Sequence, residues 1–165
     1  TDCIPRPGSG MVRRAMSGDV TRIILEFLET IGLEVRSGSV EHETPLPGIA
    51  LSDGVIVVDH ARLRFPGDLL HEAGHLAVLP AAARGAPVTL DSPGDEMASI
   101  AWSYAAALHL DLDPAVVFHE HGYRGDSPMI LENFAAGRTF GVPLLAWYGL
   151  CDTAAYPAME RWLRE

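Results

Sequence analysis

The spacing of apolar residues predicts a helix near the start of the chain. From Asp19 to Leu33, apolar side chains recur every three or four residues, as expected for one buried face of a helix. These positions are Val20, Ile23, Ile24, Phe27, Leu28 and Ile31. Asp19 is a favoured N-cap residue, and Gly32 is a favoured residue close to a helix end. We therefore expect a scaffold helix over residues 19–33.

A second pattern, made of short apolar runs, predicts a small sheet. Ile49–Leu51 and Val55–Val58 are separated by a segment containing Asp-Gly, a strong turn signal for a β-hairpin. Residues 34–40 alternate loosely and predict a further strand. His60 follows the hairpin, where we expect a surface or capping histidine.

Most of the remaining chain predicts helices bounded by proline, glycine and acidic residues. The first of these helices starts near Pro66 and Asp68 and stops at Pro80, and a loop over 81–92 separates it from a long helix that runs from Asp95 to about Leu110. Further helices are predicted over 113–118, 127–136 and 157–163, with an apolar segment over 142–150. Trp147, Tyr148 and Trp162 are expected in the core or, if exposed, on a partner surface. Helices and a hairpin together indicate a small α+β fold.

Length and composition narrow the function classes. A chain of 165 residues is expected to form one domain, and a net charge of −10 argues against nucleic acid as a partner. We find no signal-peptide pattern and no apolar run long enough to span a membrane, so we expect a cytoplasmic protein. Residues 1–10 are rich in Pro and Gly and are expected to be a tag or linker, with a native arm as the alternative. The single domain would then be residues 11–165. Cys3 and Cys151 provide neither a disulfide framework nor a C-x-x-C metal motif.

The residues with the clearest chemistry lie in the predicted helix over residues 69–77, LLHEAGHLA. Here His71 and His75 are four residues apart, which puts both rings on one face, one turn apart. Two imidazoles in this arrangement can bind one metal ion, and Glu72 can act as general base toward a water molecule there. The alternative is that both histidines are hydrogen-bonded within a polar patch.

A site with two histidines needs at least one more protein ligand. The candidates are Glu96 and its neighbour Asp95, and we favour Glu96, although either acid would also suit the first turn of a helix. Small residues along the Glu96 face would let two helices pack closely. His119 or His121 is the other possible third ligand. His109 is expected to face away from the ion.

This arrangement resembles the ImmA/IrrE-type metallopeptidases, which are compact zincin-like domains. The resemblance covers roughly Asp19 to Leu112 and rests on the order of elements and on the H-E-x-G-H helix. It implies one Zn²⁺ ion and a later glutamate ligand, within a pattern like E-x-x-A-N-x-F-A. Residues 95–102 are D-E-M-A-S-I-A-W. Counting from Asp95 keeps the alanine of the pattern and counting from Glu96 keeps the glutamate, so both acids stay candidates.

A second polar cluster, residues 119–124, follows the short predicted helix. In zincins, a histidine or tyrosine outside the ligand set often stabilises the oxyanion that forms during hydrolysis. We expect His119 and Tyr123 to act in this way, with His121 and Arg124 as further donors. The alternative is an exposed polar helix end, where His and Arg suit the helix dipole.

The sequence therefore predicts a zinc-dependent metallopeptidase that cleaves a peptide or protein substrate. His71, His75 and Glu96 would bind Zn²⁺, and Glu72 would be the general base. The alternative is a metal-stabilised binding or regulatory domain without peptidase activity, which would not need Glu72.

Overall fold

The computed structural model describes residues 17–86 and 92–165. In these ranges the chain forms helices α1 (Ser17–Thr30), α2 (Asp68–Val78), α3 (Pro93–His109), α4 (Ser127–Ala135) and α5 (Val142–Trp147), and strands β1 (Val35–Ser37), β2 (Ile49–Ser52) and β3 (Val55–Val58). The predicted small α+β fold is confirmed. The predicted tag or linker, residues 1–10, and residues 87–91 of the predicted loop lie outside the described ranges.

The three strands form one sheet in the order β1-β3-β2. Strands β2 and β3 are the predicted antiparallel hairpin, and β1 pairs with β3 in parallel. At the hairpin turn, Asp53 and Gly54 have φ values of 50° and 81°. Two successive left-handed residues match the twist of the strands, and Asp-Gly is a favoured pair for them. Because β3 lies in the middle of the strand order, β2 is an edge strand among the described strands. His60 is exposed and lies 3.1 Å from Ser37 Oγ, as expected for a surface histidine.

The centre of the fold is the contact between α2 and α3. Helix α2 is buried along most of its length, and α1 and the sheet also pack against it. The approach to α3 is close at Gly74. A Cβ atom there would lie 2.9 Å from both Ser103 Oγ and Ser99 O. The small residues predicted on α3 therefore allow the two helices to approach closely.

Replacing Gly74 by Ala is expected to destabilise the protein by about 1–3 kcal/mol, although alanine is the better helix former, because the added methyl group overpacks the helix contact. Gly18→Ala is the matched control. Its Cβ would meet no described residue within 4 Å, so the change should be neutral or stabilising by up to about 1 kcal/mol. Urea unfolding of both variants measures the difference. Equal stability of the two variants would contradict the close packing.

The predicted helix over residues 157–163 is wrong, because this segment consists of turns and bends. Its backbone is hydrogen-bonded to distant parts of the chain instead of to itself. Trp102 Nε1 donates to Trp162 O at 2.9 Å, and Arg164 N donates to Ala77 O at 3.0 Å. Arg84 donates to the carbonyl groups of Leu76 and Leu79 at the end of α2 and to Arg164 O. These bonds hold Trp162 against α3 and Arg164 against the C-terminal end of α2.

The other short segments are close to prediction. The predicted helix over 113–118 is a 3₁₀ turn, Pro114–Val116, whose start is capped by the Asp113 carboxylate, 2.9 Å from Ala115 N. The sequence did not decide whether Trp147, Tyr148 and Trp162 lie in the core or on the surface. Trp162 packs against Phe27 and Trp102, while Trp147 is 83% exposed. None of the helices in the described ranges combines the length and apolar character needed to cross a membrane.

Candidate metal centre

Three side chains predicted as metal ligands lie together where α2 meets the first turn of α3. His71 Nε2 lies 3.1 Å from His75 Nε2, and His75 Nε2 lies 3.2 Å from Glu96 Oε2. The three donor atoms all lie within 4.8 Å of one another. In a tetrahedral zinc site with bonds near 2.0–2.1 Å, neighbouring ligand atoms are about 3.3 Å apart. The three side chains could therefore hold one metal ion, and two imidazoles with a carboxylate are ligands that Zn²⁺ accepts.

The hydroxyl group of Tyr123 holds the ring of His71 from the other side. It lies 2.6 Å from His71 Nδ1. When Nδ1–H donates to this oxygen, the lone pair of Nε2 points to the other ligands, which is the usual arrangement of a histidine bound to a metal. The ring of Tyr123 also packs against Phe118, with centroids 5.1 Å apart. Tyr123 is thus positioned as the residue that orients His71.

The backbone that carries Tyr123 is in an unusual conformation. Tyr123, Arg124 and Gly125 have φ values of 51°, 54° and 92°. A left-handed conformation costs a residue other than glycine about 1 kcal/mol or more. The tertiary contacts of Tyr123 must offset that cost, so the turn is shaped by the contact with His71.

Burial affects both histidine ligands in the direction that metal binding requires. It lowers the pKa of His71 to about 3, with smaller contributions from the charges of His75 and His119. It lowers the pKa of His75 to about 4. Both rings are therefore neutral near pH 7, and the neutral ring is the form that binds a metal ion.

Glu72 lies next to the candidate ligands, and its carboxyl group is partly buried at the edge of a cleft. Burial, with smaller contributions from the negative charges of Asp68 and Glu96, raises its pKa to about 7. Its side chain lines a cleft of about 520 Å³ that runs along β2 and residues 42–46. A carboxyl group with a pKa near neutrality, which lines a cleft beside three candidate metal ligands, is suited to act as a general base.

Replacing Glu72 by Gln should stabilise the metal-free protein at pH 8 more than at pH 5. The pKa of Glu72 is higher in the folded protein than the ordinary 4.5, so folding favours the protonated form. The stability this provides is fully present below about pH 4.5 and is lost as the pH rises through about 7. Glutamine does not titrate, so its advantage grows over this interval.

Thermal unfolding of both metal-free proteins at the two pH values measures this advantage as a difference in Tm. Glu29→Gln, at an exposed position of α1, controls for the loss of one carboxylate. A Tm difference between wild type and Glu72→Gln that is independent of pH would contradict the raised pKa.

The other candidates lie outside this group of three. Asp95 Oδ1 accepts a hydrogen bond from Tyr148 Oη at 2.7 Å, so this acid is engaged elsewhere. His119 Nε2 lies 2.8 Å from Asp68 Oδ1, and its ring stacks on Phe65 with centroids 4.0 Å apart. His121 is exposed and pairs with its neighbour Glu120. His109, as expected, is on the far side of α3, against Phe27 and Trp162.

Asp68 was predicted only as a residue at the start of α2, yet it lies close to the candidate site. Its carboxylate is buried, and burial raises its pKa, while His119 opposes that shift. Asp68 precedes Glu72 by one helical turn, a spacing that brings side chains together on a helix face. That spacing was the available sequence signal for this residue.

Comparisons with protein-family models, with curated proteins and with solved structures found no match to this chain. Its function is therefore inferred from the motif and from the geometry of these residues.

Proposed function

We propose that this protein is a zinc-dependent metallopeptidase that hydrolyses a bond in a peptide or protein substrate. The observation that supports this proposal is the convergence of His71, His75 and Glu96 within 4.8 Å, with Glu72 beside them and facing a cleft. When bound by these three ligands, a zinc ion would lower the pKa of a water molecule and polarise the substrate carbonyl.

Two side chains next to the ligands support the reaction. Glu72 accepts a proton from the attacking water and later delivers it to the leaving amine. Tyr123 accepts the hydrogen bond from His71 Nδ1, which fixes the orientation of that ring so that its Nε2 can face the metal. Burial raises the pKa of Tyr123 well above its usual value, which keeps its hydroxyl group neutral.

The cleft beside Glu72 favours an extended peptide as substrate. It follows β2, whose outer edge is unpaired among the described strands. Free backbone N–H and C=O groups of an edge strand can pair with an added peptide strand. The cleft would thus hold the substrate backbone while Glu72 faces the bond to be cleaved.

The test is to incubate zinc-loaded protein with a mixed peptide library and identify the products by mass spectrometry. We expect cleavage that stops when a chelator removes the metal and returns when zinc is added back. About one zinc ion per chain without any cleavage would instead support the metal-stabilised binding domain. Protein that binds no zinc would contradict both functions.

A further inference from the structure

A second cavity adjoins the ligand group on the side away from β2. It has a volume of about 450 Å³ and is lined by Glu96, Ile100, Tyr123, Arg124, Asp126, Met129, Ile130 and Phe140. Two of these residues are part of the site already described, because Glu96 is a candidate ligand and Tyr123 contacts His71. The cavity therefore borders the group of candidate ligands at Glu96 and Tyr123.

The walls of this cavity are mainly apolar. Ile100 and Ile130 belong to the buried core, and Phe140 packs against it. Met129 forms the outer side and is 55% exposed, which is unusual for a large apolar side chain in this protein. A volume of this size lies in the range of about 300–1,000 Å³ that is typical of small-molecule pockets. The pocket has room for one large side chain and an apolar surface to receive it.

The charged groups of the cavity do not favour a charged occupant. Arg124 and Asp126 are exposed and of opposite sign, and Glu96 is engaged with His75. A charged side chain placed against the two isoleucines and Phe140 would lose its hydration without gaining a partner there. An aliphatic or aromatic side chain would bury its surface at no such cost.

We propose, building on the peptidase function above, that this cavity selects a large apolar side chain, such as Leu, Met or Phe, at the substrate residue next to the cleaved bond. Six of the eight lining residues lie between Tyr123 and Phe140, after the stretch that resembles known metallopeptidases. The preference is therefore a property of this chain's own C-terminal half.

The test compares the binding of leucine hydroxamate and glycine hydroxamate to the zinc-loaded protein by calorimetry. Both probes carry the same metal-binding group, and they differ only in the side chain offered to the cavity. We expect the leucine probe to bind about tenfold tighter or more. Met129→Glu should remove most of the difference in affinity between the two probes, because it places a charge on the apolar wall of the cavity. Met129 is partly exposed, so the protein should tolerate the change. Leu108→Glu, an exposed apolar residue on α3 outside the cavity, should preserve the ratio.

The same proteins are then given the peptide library. Equal affinity for the two probes, no binding of either, or a ratio that Met129→Glu leaves unchanged would overturn the proposed pocket, even if peptides are cleaved. A ratio that responds as expected in a protein that cleaves no peptide would support the pocket and contradict the proposed hydrolysis. Cleavage products with Leu, Met or Phe beside the new end would support both.

Discussion

Replacing Glu72 by Gln is expected to lower the rate of peptide cleavage by about 10²–10⁴-fold, the usual contribution of a general base. Glutamine keeps the size of the side chain but cannot accept a proton from water. Zinc should stay bound, because Glu72 is not one of the three converging ligands. Measurement of kcat together with zinc content separates loss of chemistry from loss of metal.

One control variant and two contrary outcomes define what the Glu72→Gln experiment can show. Glu29→Gln removes a carboxylate from an exposed surface and should leave kcat unchanged. A Glu72→Gln protein that cleaves peptides at a rate close to the wild-type rate would show that another group is the base. A Glu72→Gln protein that has lost its zinc would show that this carboxylate is itself needed to hold the metal.

Removing a single ligand is expected to weaken zinc binding by more than about 100-fold, beyond the 10–100-fold cost of losing a residue that only supports a ligand. His75→Ala and Glu96→Ala are the direct tests, since their donor atoms are 3.2 Å apart. Competition with a chromophoric chelator measures the affinity. Added zinc should raise the Tm of the wild-type protein but not that of either variant, because a ligand stabilises only the state that binds it.

Asp95→Ala is the matched control for the third ligand. Asp95 precedes Glu96 on the same helix, but its carboxylate accepts a hydrogen bond from Tyr148. This variant should keep wild-type zinc affinity and lose at most some stability. If Asp95→Ala lost zinc while Glu96→Ala retained it, Asp95 and not Glu96 would be the third ligand.

The predictable parts of the fold are those specified by residues close together in sequence. Hydrophobic spacing predicted α1, and Asp-Gly predicted the turn between β2 and β3. The four-residue spacing predicted that His71 and His75 would lie side by side. In each case, helix or strand periodicity relates neighbouring residues directly to a geometry.

The parts that could not be predicted depend on contacts between distant segments. The contact of Tyr123 with His71 joins residues 52 positions apart, and it holds Tyr123 in a conformation that the sequence does not favour. Residues 157–163 have a helical pattern, but Trp102 donates to Trp162 O within this segment and Arg84 donates to Arg164 O just after it. Likewise, the choice between Asp95 and Glu96 depends on where Tyr148 lies, some fifty residues later.

The hydrogen bonds between Arg164 and the C-terminal end of α2 also affect when this helix becomes ordered during synthesis. Arg164 N donates a hydrogen bond to Ala77 O near the C-terminal end of α2, and this bond joins residues 87 positions apart. A ribosome adds about 5–20 residues per second, so several seconds separate the synthesis of these two partners. During that interval the end of α2 lacks part of its native support. We therefore expect the C-terminal end of α2 to become fully ordered only after Arg164 has been synthesised and has docked against it.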